Sequence, residues 1–283
     1  MPSKYHIDLH IHPFLENKSI IDVTDAMDKT GLDVIALESY NEDIYPRVLE
    51  EASKFYNVVD DGAGMRLPDG KYILNGREYN TKESIHVITI GCSFDVPQKT
   101  EMRKIIDKGL KNHALVLIDH PFVDNVHTRT AGHISEEMEK TLEYLCREYS
   151  GGIALEWNAY CIPWIRRGLK AMLNMAGHRT KYHDINAKAE EISLKLSREG
   201  YNVPVIADTD LHARSKTLLS AMGTSKLIAD IEGECAKDIV SSMKEKIFSG
   251  NYENVKEYVS TAHLFNAFCL PILFPDHFWK PRA

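Results

Sequence analysis

Four short phrases carry residues that bind metals or move protons: Asp8-Leu9-His10-Ile11-His12, Asp119-His120-Pro121, Glu156-Trp157-Asn158 and Asp208-Thr209-Asp210-Leu211-His212. Each adjoins an aliphatic or β-branched run, at residues 5–9, 114–118, 153–155 and 203–207. Two histidines at i and i+2 of an extended segment project to the same side, so His10 and His12 can reach one ion together. Asp210 and His212 repeat that spacing. Imidazole nitrogen and carboxylate oxygen suit zinc, manganese or iron. One carboxylate can bridge two ions about 3.5–4 Å apart, which lowers the pKa of a shared water. The expected chemistry is hydrolysis by metal-activated water. The other histidines, His6, His113, His127, His133, His178, His183, His263 and His277, read as ordinary surface or core residues.

These groups lie far apart along the chain, so the elements must bring them together. Further strand-like runs occur at 33–37 and 86–90. Helical periodicity separates the runs at 22–30, 46–56, 98–112, 135–149, 185–199 and 235–248, with Gly31, Gly200 and Gly250 as stops and Ser135 as an N-cap. Strand–helix alternation at this pitch predicts βα units and a parallel sheet. In a parallel barrel all strand C-termini share one face, where active sites form. Residues 65–79 break the rhythm and read as a β-hairpin around Pro68-Asp69-Gly70. The apolar segment 264–279 reads as a tail that plugs the barrel or packs on another subunit. The expected division is a barrel domain, 1–262, and a C-terminal tail, 263–283.

A chain of 283 residues with 43% hydrophobic content suits a single α/β barrel. Its 34 basic and 41 acidic residues leave a formal charge of −7. No basic stripe is present, so duplex nucleic acid and anionic membrane surfaces are not expected partners, whereas a small phosphorylated substrate is. The five cysteines lack CxxC spacing and read as free thiols in a reducing compartment. No signal-peptide pattern and no apolar run of roughly 18 residues is visible, so a soluble cytoplasmic protein is expected.

Taken together and in order, the motifs resemble those of the polymerase and histidinol phosphatase (PHP) family. The resemblance runs over residues 5–250. It rests on Asp8-Leu9-His10-Ile11-His12, the phrase from Gly31 to Leu37, Gly76-Arg77-Glu78, His86 at a strand start, His120-Pro121-Phe122, Glu156-Trp157-Asn158 and Asp210-Leu211-His212. It implies a distorted (β/α)7 barrel and a metal-dependent phosphoesterase. It assigns His10, His12, Glu78 and Asp210 to one divalent ion, and Glu78, as a bridge, with His86 and His120 to a second.

Two departures bear on a third ion. Where the family reads Thr-Asp-His, this chain has Glu38-Ser39-Tyr40, and no His or Asp follows the opening motif within residues 13–18. A phenol stays protonated near neutral pH, so Tyr40 is a poor substitute ligand. Two ions are therefore expected, with the third site absent unless Glu16 or Glu38 rebuilds it. His212 is then open to act as a proton donor to the leaving group, and Arg214 as a phosphate clamp, with Arg129 and Arg179 as weaker candidates. Two other readings stay open at this point: an amidohydrolase cleaving C–N or C–O bonds, and a non-catalytic metal-binding barrel.

Overall fold

A computed structural model describes residues 4–40, 42–123, 135–165 and 184–269. The chain begins with β1 (Lys4–His12), α1 (Ile20–Thr30), β2 (Val34–Leu37) and α2 (Tyr45–Phe55). A small antiparallel insert, β3 (Val59–Asp60) and β4 (Gly64–Arg66), leads into β5 (Tyr72–Asn80). The expected hairpin around Pro68-Asp69-Gly70 is the β4–β5 turn, closed by Leu67 N–H donating to the Lys71 carbonyl. Then come β6 (His86–Ile90), α3 (Met102–Lys111), β7 (Leu115–Asp119), α4 (Glu136–Glu148), β8 (Ile153–Asn158) and α5 (Ile185–Arg198). The last elements are β9 (Val205–Asp208), β10 (Leu211–His212), β11 (Lys226–Asp230), α6 (Ala236–Ser249), β12 (Tyr252–Val255) and the short α7 (Thr261–Leu264).

The strands follow the order β12-β11-β1-β2-β5-β6-β7-β8-β9. The seven from β1 to β9 in that order form a nearly closed α/β barrel, as expected. The sheet is not wholly parallel, which corrects the sequence expectation. β6 runs antiparallel to both β5 and β7. Its link to β5 is only residues 81–85, far too short for the crossover that parallel neighbours need. The reversal puts the start of β6, His86, at the same mouth as the ends of its neighbours. β11 and β12 extend the sheet beyond β1 and have no counterpart among the expected strands.

Alternation along each strand sorts the core into layers. Ile7, Leu9, Val34, Ala36, Leu74, Ile88, Leu115, Leu117, Ala154 and Ile206 form one buried cluster inside the barrel, joined by Ile239, Val240, Met243 and Ile247 of α6. The opposite parity packs outward. Ile35, Leu37 and Ile73 meet α1 and α2, while Val116, Ile118, Ile153 and Leu155 meet α3, α4 and α5. A register shift between Asp8 and Ile11 breaks the parity of β1. As a result Leu9 and then His10 and His12 all take the inner side, while Ile11 packs outward.

The seam between β1 and β9 is closed by other means than a ladder. Asp8 accepts the backbone N–H of Thr209 at 3.0 Å and of Gly223 at 2.8 Å. Beyond it, β10 pairs with the end of β1, placing His12 opposite His212. Among the described residues Cys92, Cys146, Cys161 and Cys235 form no disulfide. Among the described residues no helix is long and apolar enough to cross a membrane. The apolar tail beyond residue 269 lies outside the described residues.

Candidate metal centre

The inner face at the barrel mouth carries charge where the layers below carry hydrocarbon. Following the inward parity upward gives Glu38 after Ala36, Glu78 after Leu74 and Gly76, and Asp119 after Leu117. It gives Glu156 and Asn158 after Ala154, and Asp208 after Ile206. With Asp8 and Asp210, seven carboxylates are buried among the described residues, beside the buried His10, His12, His86, His120 and His212. Burying this many acids is costly unless they are protonated, paired or coordinating cations.

The structure brings His10, His12, Glu78 and Asp210 together. Nε2 of His10 and Nε2 of His12 are 3.0 Å apart. Glu78 Oε2 lies 3.2 Å from His12 Nε2 and 3.9 Å from His10 Nε2, and Asp210 Oδ1 lies 3.8 and 3.4 Å from the same two atoms. Ligands about 2.0–2.2 Å from a tetrahedral zinc stand roughly 3.4 Å apart, so these spacings are those of an ion's shell. Orienting contacts come from behind. His10 Nδ1 donates to Glu156 Oε1 at 2.7 Å, leaving Nε2 to face the cluster. Asn158 Nδ2 donates to Asp210 Oδ2 at 2.8 Å, which leaves Oδ1 facing the cluster.

The second group lies on the other side of Glu78. Its Oε1 abuts His86 Nδ1. His86 and His120 lie across the β6–β7 pair, with ring centroids 5.1 Å apart. Glu78, His86, Asp119 and His120 offer ligand atoms all within 4.8 Å of one another. Gly76 is required here, because a β-carbon would collide with the Glu38 carboxyl. Glu38 in turn accepts the Ile11 N–H at 2.9 Å.

Two of the expected ligands stand on left-handed backbone, His120 at φ 26° and Asp210 at φ 54°. Non-glycine residues rarely adopt this region, and such strain persists where the surroundings over-determine it. At His120 the N–H is fixed by Glu156 Oε2 at 2.6 Å. The turn swings the imidazole inward although strand parity would send it out.

The electrostatics of these groups fit a bound cation. Among the described residues neither oxygen of Glu78 or Asp119, nor Asp210 Oδ1, nor His86 Nδ1, has a hydrogen-bond partner. Burial pushes His12 and His120 down to about 4, so both are neutral and ligand-ready near pH 7. Burial alone would also lower His10, but Asp119, Asp210 and Glu156 hold it well above the usual histidine range. Burial works against ionisation of Glu78 too, yet His86, His10 and His12 keep it well below the usual carboxylate range. Burial and then the charge of Glu156 push Asp119 up. The donor set therefore fits divalent ions.

His212 joins the same mouth, its ring 4.6 Å from that of His12, and His12, Asp210 and His212 form a further trio of ligand-type groups. Tyr40 stacks on His12 at 4.6 Å and bonds His212. The residue as a whole keeps 41% exposure, while burial of the hydroxyl, then Glu78 and Asp210, push the phenol well above its ordinary range. The guanidinium of Arg214 stacks on Phe14 at 4.4 Å, and the Phe14 ring is 6.1 Å from both His12 and His212. Glu16 points to the surface, paired with Arg47 at 3.4 Å, and neither it nor Glu38 belongs to a ligand group among the described residues. Arg129, Arg179 and nearly all of the loops 124–133 and 163–183 lie outside the described residues.

Three residues that the sequence reading quoted without assigning these roles contribute as well. Glu156 orients His10, and Tyr40 bonds His212. Asp119 joins the second group, and the alternation Leu115, Leu117, Asp119 was the signal for it.

No known family profile matches the chain, and no curated protein matches it. Solved structures do. A lesion-specific endonuclease from Pyrococcus furiosus is 14% identical with a TM-score of 0.54, over 89% of this chain and 58% of that one. Endonuclease Q in complex with a 27-mer duplex bearing an abasic lesion is 11% identical with a TM-score of 0.49, over 90% and 58%. A candidate metal-dependent phosphoesterase from Bifidobacterium adolescentis is 11% identical with a TM-score of 0.43, over 74% and 88%. This chain spans about three fifths of the length of the two endonuclease chains. The first likeness establishes the fold, which is the barrel that the PHP resemblance implies. The charge-based expectation against duplex nucleic acid draws no support from it, since a protein of this fold is described as an endonuclease.

Proposed function

We propose that this chain is a metal-dependent hydrolase of phosphoester bonds, with two divalent ions held by His10, His12, Glu78 and Asp210 on one side and by Glu78, His86 and His120 on the other. One observation carries it: the buried Nε2 atoms of His10 and His12, 3.0 Å apart, each lie 3.2 to 3.9 Å from a buried carboxylate oxygen of Glu78 and of Asp210. When bound, such ions polarise phosphoryl oxygens and make water a nucleophile at neutral pH. Zinc, manganese and iron all suit the ligands, and the third site is proposed to stay without an ion.

The chain's own groups supply orientation and protons. Glu156 and Asn158 hold His10 and Asp210 in their ligating rotamers. His212, when protonated, can pass a proton outward through the Tyr40 hydroxyl to a leaving oxygen. Arg214 stands one ring away from the cluster and is proposed to clamp the phosphate. Beside Phe14 opens a small cavity of about 50 Å³ lined by His12, Tyr40, Ile44 and Arg47 among others, room for a few waters next to the cluster.

An amidohydrolase reading finds less support. Its bridging group is often a modified lysine, and the buried lysine described here, Lys18, bonds the backbone carbonyls of Phe14 and Ala213 instead. The test is hydrolysis of p-nitrophenyl phosphate and its diester by metal-loaded protein, beside an amide and lactone panel. Phosphate ester turnover should vanish in His120→Ala and Asp210→Ala while the circular dichroism stays native. Unchanged turnover in both variants overturns the site.

A further inference from the structure

We infer that Asp119 is a fourth protein ligand of the second ion. This rests on reading the cluster as a metal site, and it adds a residue to that site.

Asp119 ends β7 on the inward parity, entirely buried, with neither oxygen hydrogen-bonded. Oδ2 stands 2.9 Å from His120 Nε2 and 3.5 Å from His86 Nδ1. Those are again the edges of a tetrahedral shell, and Glu78 Oε1 abuts the same nitrogen of His86. The set His86, His120, Glu78, Asp119 therefore repeats on the second side what His10, His12, Glu78, Asp210 provide on the first: two imidazoles, one private carboxylate and a share of Glu78. Without Asp119 the second ion would have three ligands, one of them shared.

The other oxygen, Oδ1, lies 3.5 Å from His10 Nδ1, the nitrogen facing away from the first group. The Nδ1 proton of His10 is taken by Glu156 Oε1 at 2.7 Å, so Asp119 approaches this ring without orienting it. Three ligating carboxylates against two divalent ions leave a net charge of about +1, a modest attraction for a phosphoryl group in a dry site.

Asp208 is the internal control. It is equally buried, and neither of its oxygens is hydrogen-bonded, but it belongs to no group of ligand atoms. Lack of hydrogen bonds is thus not what singles Asp119 out; its imidazole neighbours are.

The experiment titrates chelator-stripped protein with cobalt(II), counts bound ions by elemental analysis and follows the visible cobalt bands, whose intensity reports coordination number. Wild type and Asp208→Asn are expected to bind two ions. Asp119→Asn is expected to keep one and to lose affinity for the other by more than about 100-fold, beyond the 10- to 100-fold cost of losing only an orienting contact. Its remaining cobalt bands should be those of the first site. Two ions bound by Asp119→Asn with unchanged bands overturn the inference while leaving the metal site intact. No cobalt uptake by the wild type overturns the underlying reading. If Asp119→Asn does not fold, Asp119→Cys decides: a cobalt–thiolate charge-transfer band supports ligation, and its absence overturns it.

Discussion

The hydroxyl of Tyr40 lies 2.9 Å from Nε2 of His212, and Nδ1 of the same ring lies 2.9 Å from the backbone carbonyl of Asp210. A carbonyl only accepts, so in the neutral ring Nδ1 carries the proton and Nε2 accepts from the phenol. The pair fixes one tautomer of His212 at the rim of the centre. Removing the hydroxyl in Tyr40→Phe keeps the stack on His12 and the Nδ1 bond to Asp210 but deletes the bond to Nε2. The expected result is a fall in kcat of about tenfold, equivalent to about 1.4 kcal/mol, with KM little changed. Steady-state kinetics of metal-loaded protein on a phosphate ester measure it, and an unaltered kcat removes the pair from the proton path.

Glu78 faces both ligand groups, Oε2 toward His12 and Oε1 toward His86. Glu78→Gln should therefore weaken both ions, whereas Asp210→Asn should weaken one. Ions that bind only the folded state stabilise it by RT ln(1 + [L]/Kd), about 4 kcal/mol at a thousandfold excess over Kd. For a chain of this size that corresponds to a rise in Tm on the order of 10 °C. Calorimetry with and without chelator should show this difference in the wild type and almost none in Glu78→Gln. An identical chelator effect in the two proteins would show that Glu78 is not shared.

The site was more legible than the topology. His10, His12, His120 and Asp210 follow apolar runs, and strand ends of a barrel gather at one mouth, so their convergence followed from pattern alone. Glu78 and His86 were reached only by resemblance, because the antiparallel turn of β6 that brings them in depends on the short link at residues 81–85. Asp119 and His120 are neighbours, which a regular strand sends to opposite faces. Both reach the centre because His120 adopts φ 26°, a conformation no local sequence preference announces. β11 was overlooked because its alternation of half-buried and buried residues spans only five positions between polar ends. The role of Tyr40 depends on a partner 172 residues away.

Asp8 is expected to hold the barrel seam. Its carboxylate accepts the N–H groups of Thr209 and Gly223, and both contacts are buried. Asp8→Ala leaves two buried donors unpaired, each costing about 1–3 kcal/mol. A loss of about 2–6 kcal/mol in urea unfolding is expected, with metal affinity reduced because Thr209 precedes the proposed ligand Asp210. A variant as stable as the wild type would place closure of the barrel in the β1–β10 and β1–β11 pairs alone.

At the start of α1, Asp22 and Ser19 form a capping box: the Asp22 carboxylate accepts the Ser19 N–H at 2.9 Å and pairs with Lys216 at 2.8 Å. Burial opposes ionisation, but Lys216 and the Ser19 N–H together outweigh it and hold Asp22 below the usual carboxylate range. Its folded pKa is thus lower than its unfolded one. The stabilisation is fully present above the unfolded value of about 4 and is lost as pH falls through the folded value. Asp22→Asn should cost about 1 kcal/mol at pH 7, the usual worth of a cap, and the gap should close toward pH 3. Thermal unfolding of both proteins across that range measures it. A gap that stays constant with pH would assign the effect to helix capping by shape alone, with no share for the Lys216 pair that ties α1 to the segment following Arg214.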